Sequence, residues 1–104
     1  EKTVSENLRC RIDFGSDEIA LSSFGEFYAV FKNESDEIVE TEFSWTISDN
    51  DFDLRNLILS YQDNKIRIVV KNNKDLIDKD FTLNVISNDN EICASMKIKI
   101  IALW

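Results

Sequence analysis

The sequence predicts an all-β domain that folds as an antiparallel sandwich of about seven strands. Apolar residues recur at every second position in several short stretches, as in residues 8–14, L-R-C-R-I-D-F, which is the pattern of a strand with one buried face. Polar turns rich in Asn and Asp separate these stretches. No stretch has the apolar period of an amphipathic helix. Together these features favour two packed sheets in a single domain, residues 1–104.

The alternation places the strands in order along the chain. After residues 8–14, Ile19 and Leu21 continue the pattern briefly beyond a turn at 15–17. The next strands with clear alternation are predicted at 27–31, 42–47, 66–70, 81–85 and 94–100. Since the chain has no Pro and only 2 Gly, Asn and Asp are expected to form most of the turns between them.

Two segments are less regular. Residues 52–61 fit either a short helical turn or a strand, and we favour a turn that leads into a short strand because Leu57, Leu59 and Tyr61 alternate. Residues 72–78 read as a loop with one apolar pair. We expect Leu76 or Ile77 to tuck under the fold from this loop.

The stretch 42–47 is predicted to anchor the core. Its large apolar residues, Phe43, Trp45 and Ile47, lie on one face of a strand because successive side chains point in opposite directions. We place Trp45 at the centre of the core, since a buried Trp contributes a large apolar surface. Immunoglobulin-like sandwiches bury a Trp on their third main strand, and Trp45 lies on the third predicted strand. The sequence therefore predicts an immunoglobulin-like β-sandwich.

Cys10 and Cys93 are predicted to be free thiols. Cys10 is two positions from the apolar residue Ile12 and so lies on the same face of its strand, whereas Cys93 is five positions from Ile98 and so lies on the opposite face. One Cys side chain would therefore point into the core and the other outward. A bridge between them would close a long loop and could stabilise the fold by several kcal/mol. In place of the usual disulfide between the sheets, we expect an apolar pair, Ala29 or Phe31 facing Leu83 or Val85.

Composition limits the partners. A net charge of -8, with 43% hydrophobic and 31% charged residues, is typical of an acidic globular chain, which nucleic acid and anionic membranes repel. No stretch approaches the roughly 20 apolar residues of a membrane span, and none has signal-peptide character. Because the sequence begins without Met, we expect a domain from a longer chain, with removal of the Met or cleavage of a tag as the alternatives.

Five short motifs are spread along residues 8–104. They are F-Y-A-V-F at 27–31, W-T-I at 45–47, N-K-I-R-I at 64–68, L-I-D-K-D-F-T-L at 76–83 and I-K-I-I-A-L at 98–103. Together they resemble the immunoglobulin-like domains of structural proteins from tailed bacteriophages and prophages of low-GC Gram-positive hosts. The family has Gly where this chain has Asp78. If that position needs a positive φ, Asp is among the few residues that tolerate it.

This resemblance implies a non-catalytic accessory or interaction module of a phage or prophage structural protein. The module would be located in the virion after expression in the bacterial cytoplasm, and it would need no cofactor. Its expected partners are other virion structural proteins or the host cell surface. Two alternatives stay open on the same fold: a carbohydrate- or host-surface-binding adhesion module, and a spacer of a bacterial surface protein.

No catalytic or metal site is expected. The chain has no His, which removes the commonest general base and every Ser-His or Cys-His pair. Residues 48–53, S-D-N-D-F-D, have the alternating acids of a calcium loop. However, Leu54 occupies the position of the sharp-turn Gly, and Ser60 that of the bidentate Glu. We therefore predict a solvated acidic turn here, and likewise at 88–91.

Two surface features are candidates for binding. Exposed aromatic residues could form a platform for sugars, with ordinary strand packing as the alternative: Tyr28, Phe52, Tyr61 and Trp104. Charged residues on the outer faces of the first and last strands could guard the sheet edges or steer a protein contact: Arg9, Arg11, Lys97 and Lys99.

Overall fold

The computed structural model describes residues 8–88 and 90–102. In these residues the chain forms nine strands and two short 3-10 turns, at Leu54–Asn56 and Lys74–Leu76. The strands are β1 (Arg9–Phe14), β2 (Glu18–Ala20), β3 (Phe24–Lys32), β4 (Ile38–Val39), β5 (Phe43–Ser48), β6 (Leu57–Gln62), β7 (Lys65–Val70), β8 (Asp80–Ser87) and β9 (Ile92–Ile101). The described residues include no helix that is long and apolar enough to cross a membrane.

The strands form two sheets that pack as a sandwich. The first sheet has the order β1-β3-β7-β6, with β4 pairing the end of β3, and the second has the order β2-β9-β8-β5. The predicted all-β class and sandwich are confirmed. The pairing is antiparallel except between β2 and β9, which run parallel. The predicted turn into a short strand is also confirmed, since the first 3-10 turn leads directly into β6.

Alternation along the strands places the core between the sheets. The larger buried cluster contains Phe27, Ile66 and Ile68 from the first sheet and Phe81, Leu83, Ile98 and Ile100 from the second, and each is 0% exposed. Leu76, from the loop after β7, is buried in the same cluster, which confirms the prediction for that loop. A smaller cluster consists of Ala29, Phe31 and Val85, so the expected apolar contact between the sheets is present.

Trp45 does not lie at the centre of the core, and that prediction is wrong. Among the described residues its strand, β5, pairs only with β8, and an edge strand leaves one flank of its side chains open. Trp45 is half-buried and packs against both clusters. Its ring meets Phe43 edge-on at 5.6 Å. Phe27 and Phe81 occupy the central position instead.

Cys10 and Cys93 form a disulfide, with 6.0 Å between their Cα atoms, so the prediction of free thiols is wrong. The cause is a β-bulge. Val85 of β8 pairs with Ala94, but the next residue, Ile86, pairs with Ile92, so Cys93 is an extra residue on β9. A bulge disrupts the regular alternation and re-aims the side chain of the extra residue. Cys93 therefore faces inward, against the smaller cluster, and the bond joins β1 to β9 across the two sheets.

Asp and Asn form turns with a positive φ, as the composition predicts. Asp36, Asp49, Asp63, Asp78 and Asn90 all have φ between 53° and 68°. These residues tolerate the left-handed region better than most. Asp78 has φ 68°, so its turn has a left-handed conformation without Gly.

Candidate functional site

The acidic turn at 48–53 distributes its carboxylates among different partners. Asp49 accepts a hydrogen bond from Thr82 at 3.3 Å, and Asp51 forms an ion pair with Lys79 at 3.0 Å. Asp53 caps the first 3-10 turn by accepting from the Arg55 backbone N–H. In the described part of the chain no group of three potential metal ligands converges.

Asp53 also binds the Arg55 guanidinium, at 2.6 Å. Hydrogen bonds from the Arg55 side chain, and secondly from its backbone N–H, lower the pKa of Asp53 from 3.8 to about 2. Both bonds favour the ionised carboxylate. Since both side chains are largely exposed, the pair fixes the turn locally rather than forming a buried site.

The turn at 88–91 closes the hairpin between β8 and β9. Ser87 N–H donates to the Glu91 carbonyl at 2.9 Å, and Asn90 N–H donates to the Ser87 carbonyl at 2.9 Å. Asp89 lies outside the described residues. The described side of this turn is therefore organised by backbone hydrogen bonds.

The aromatic candidates do not form one platform. By the alternation along each strand, Tyr28 lies on the outer face of β3, whereas Tyr61 lies on the inner face of β6, beside the buried Ile66. Phe52 packs edge-on against the buried Phe81, with 6.0 Å between ring centroids. Trp104 lies outside the described residues. The three described rings thus have separate surroundings.

Of the four charged residues predicted at the sheet edges, Arg9 and Arg11 lie on an edge strand. The edge strand β1 carries Arg9, bonded to Asp36 at 2.9 Å, and Arg11, bonded to Asp13 at 2.8 Å. Lys99 lies where β2 covers β9, so this part of the last strand is not an edge, and Lys97 is exposed next to it. On this side the edges are charged or covered.

The opposite side has no charged residue in either edge strand. β5 reads F-S-W-T-I-S and β6 reads L-I-L-S-Y-Q. In the described residues, β5 pairs only with β8 and β6 only with β7. An edge strand directs every second backbone N–H and C=O away from its sheet, and charges usually discourage another chain from pairing there. Within the described ranges, both edges therefore present open backbone without that protection.

A notch of about 480 Å³ opens on the same side, at the start of β5. Its apolar wall includes Phe31, Ile38, Val39 and Phe43, and its polar residues include Glu40 and Asp63. We call this cavity the notch. It lies between the β6–β7 turn and the segment that leads from β4 to β5.

The notch exists because β3 changes partners along its length. β3 pairs with β7 up to Tyr28 and with β4 from Phe31. Between them, the Ala29 N–H donates to the Asn64 carbonyl at 2.8 Å, and the Asn64 side-chain amide donates to the Ala29 carbonyl at 3.0 Å. Asn64 thus forms the hydrogen bonds of the Ala29 backbone N–H and C=O. The space next to Asn64 stays open as the notch.

The carboxylates at the notch have no cation beside them among the described residues. Glu40 and Asp63 are exposed, and none of the ion pairs formed in the described ranges includes either one. On the outer face of the first sheet, by contrast, Glu26 binds both Arg67 and Lys65. An apolar cavity with unpaired carboxylates suits a ligand that has an apolar body and a positive charge.

No protein-family model and no curated protein matches this sequence. The site itself was not predicted from the sequence. The absence of charge in 43–48 and 57–62 is visible there, but which strands lie at the edges depends on the sheet order. The notch depends on the change of partner along β3, for which the sequence has no local signal.

Proposed function

We propose that this chain is an immunoglobulin-like domain. The strand order supports the proposal, since immunoglobulin sandwiches place strands A-B-E-D in one sheet and C-F-G in the other. If β1, β3, β5, β6, β7, β8 and β9 are named A to G, the two sheets have these orders. β2 and β4 are then short additions. Trp45 falls on strand C, the position at which such domains carry a Trp.

The disulfide is a variation on this plan. In antibody domains it joins strands B and F, whereas here it joins the strands that correspond to A and G. The B and F positions are occupied by the apolar cluster of Ala29, Phe31 and Val85. The two arrangements have the same consequence, because each ties one sheet to the other through the core.

We further propose that the domain is a non-catalytic interaction module of a phage or prophage structural protein. The observation that carries this proposal is the pair of uncharged edges, β5 and β6, on a single side of the sandwich. Natural sheet proteins normally protect such edges, and open ones accept strands from partners. The motif resemblance supports a virion as the context.

A bacterial surface protein is the second candidate, and the disulfide favours it. Disulfides form and persist in oxidising surroundings and are rare in the cytosol. The Cys10–Cys93 bond therefore suits a domain at a cell surface, or on a virion after its release. Glycan adhesion has less support, because the described aromatic residues do not converge.

Photo-crosslinking in the intact parent assembly tests the interaction module. A crosslinking amino acid replaces Ser44 on β5, and the control replaces Glu34, an exposed residue of the β3–β4 turn. We expect a protein adduct from position 44 and none from position 34. Adducts from both positions, or from neither, would refute a specific contact at β5.

A further inference from the structure

We infer that the β5 edge receives an extended, cationic segment of a partner protein, and that a Lys or Arg of this segment occupies the notch. This inference rests on the proposed interaction module and names the chemistry of its partner. An extended segment can hydrogen-bond to the open backbone of β5 as an added strand, which gives affinity without a specific sequence. The acidic residues that flank β5 then favour a partner segment with positive charge.

Acidic residues lie at both ends of β5. Glu42 directly precedes the strand and Asp49 directly follows it, while Glu40 and Asp63 line the notch near its start. The six residues between Glu42 and Asp49 carry no charge. A segment with basic residues gains attraction at both ends, since opposite charges on neighbouring strands stabilise the pairing.

The same charges disfavour a second copy of this chain. Antiparallel pairing of β5 with itself about its centre would set Glu42 of one copy opposite Asp49 of the other, at both ends. Like charges directly opposite each other destabilise a strand pair. Each copy also has a net charge of -8, so approach is repulsive overall.

The notch fits the side chain of a basic residue. Lys and Arg lay their aliphatic stems along apolar surface and keep the charged group near water. Ile38, Val39 and Phe43 provide the apolar surface, and Glu40 and Asp63 provide carboxylates at its polar part. A strand added to β5 passes the notch at Phe43, which belongs to both features.

The test uses synthetic peptides and the oxidised domain. One peptide alternates Lys and Val over about ten residues, enough to span a typical strand, and the matched peptide alternates Glu and Val. We expect saturable binding of the Lys peptide with one site in calorimetry, weakened by salt, and no binding of the Glu peptide. Hydrogen exchange of β5 amides should slow in the complex, with β6 unchanged.

Matched variants locate the site. Ser44→Lys adds a positive charge at an exposed position of β5, and Ser60→Lys makes the same change at an exposed position of β6. We expect Ser44→Lys to weaken binding at least about tenfold, or about 1.4 kcal/mol, and Ser60→Lys to weaken it less. Glu40→Gln with Asp63→Asn should weaken binding more than Glu34→Gln with Asp75→Asn, which removes the same charge elsewhere. The melting temperature of each variant verifies folding.

Three results would overturn the inference: no binding of the Lys peptide, equal effects of the two Ser variants, or equal effects of the two acidic pairs. Self-association of the domain, with protection of β5, would identify a second copy as the occupant instead. These failures are separate from failure of the proposed function. A crosslink from Ser44 in the assembly, combined with no preference for the Lys peptide, would keep the interaction module and reject its cationic partner.

Discussion

Reduction of the Cys10–Cys93 bond should strongly destabilise this domain. The two residues are 83 positions apart, and for a loop of this length the loss of chain entropy in the unfolded state corresponds to about 4.5 kcal/mol at 25 °C. Domains of ordinary size have unfolding free energies of about 5–15 kcal/mol. The bond therefore accounts for a large share of the stability, and the melting temperature should fall by about 20 °C on reduction.

The measurement compares urea unfolding of the oxidised and reduced protein, followed by Trp fluorescence. Comparison of the same sequence in two redox states isolates the bond from any change in side-chain volume. The Cys10→Ala/Cys93→Ala double variant is the control, and its stability should not respond to reductant. A difference between the oxidised and reduced protein below about 1 kcal/mol would show that the unfolded chain gains little freedom, contrary to the loop-entropy model.

Other substitutions test the core, a buried polar group and a surface pair. Phe81→Ala should lower the free energy of unfolding by about 3–5 kcal/mol, because Phe81 is 0% exposed. Trp45→Ala should lower it by less, because Trp45 is half-buried. If urea unfolding showed Trp45→Ala to be the more destabilising, the placement of the core would be contradicted. Asn84→Ala should lower it by about 1–3 kcal/mol, since the buried Asn84 amide donates to Ser48 at 2.9 Å; an unchanged urea midpoint would contradict this. The pKa of Asp53 falls from 3.8 to about 2 on folding. The ionised Asp53 carboxylate therefore stabilises the folded state fully above pH 3.8, and this stabilisation is lost as the pH falls through about 2. Asp53→Asn should therefore flatten the acid dependence of stability, and a carboxyl that titrates by NMR at or above 3.8 would contradict the Arg55 contact.

The main strands could be predicted because their signal is local. A strand with one buried face shows its alternation within six or so residues, and 66–70 and 81–85 illustrate this in β7 and β8. β2 and β4, with three and two residues, are too short for such a pattern. The parallel pairing of β2 with β9 joins distant parts of the chain, so local alternation could not reveal it.

The two wrong predictions share a physical cause, which is that parity and position in the sheet are separate properties. Cys93 has outward parity by count from Ile98, but the bulge adds one residue and reverses the face. Trp45 has inward parity, as predicted, yet it lies on an edge strand and remains half-buried. Counting residues shows which face of a strand a side chain lies on only where the strand has no bulge. It does not show which strands lie beside that strand in the sheet.

The covalent link between the first and last long strands also determines how the domain bears tension. A pull on the chain before Cys10 and after Cys93 passes directly through the disulfide, so the residues between them carry none of the load even if their sheets separate. About 300 Å of extended chain stays inaccessible to stretching in this way. Within a larger assembly the oxidised domain can therefore lengthen only through residues outside the loop, such as the part of β9 after Cys93, whereas the reduced domain can also lengthen between the two Cys residues as it unfolds.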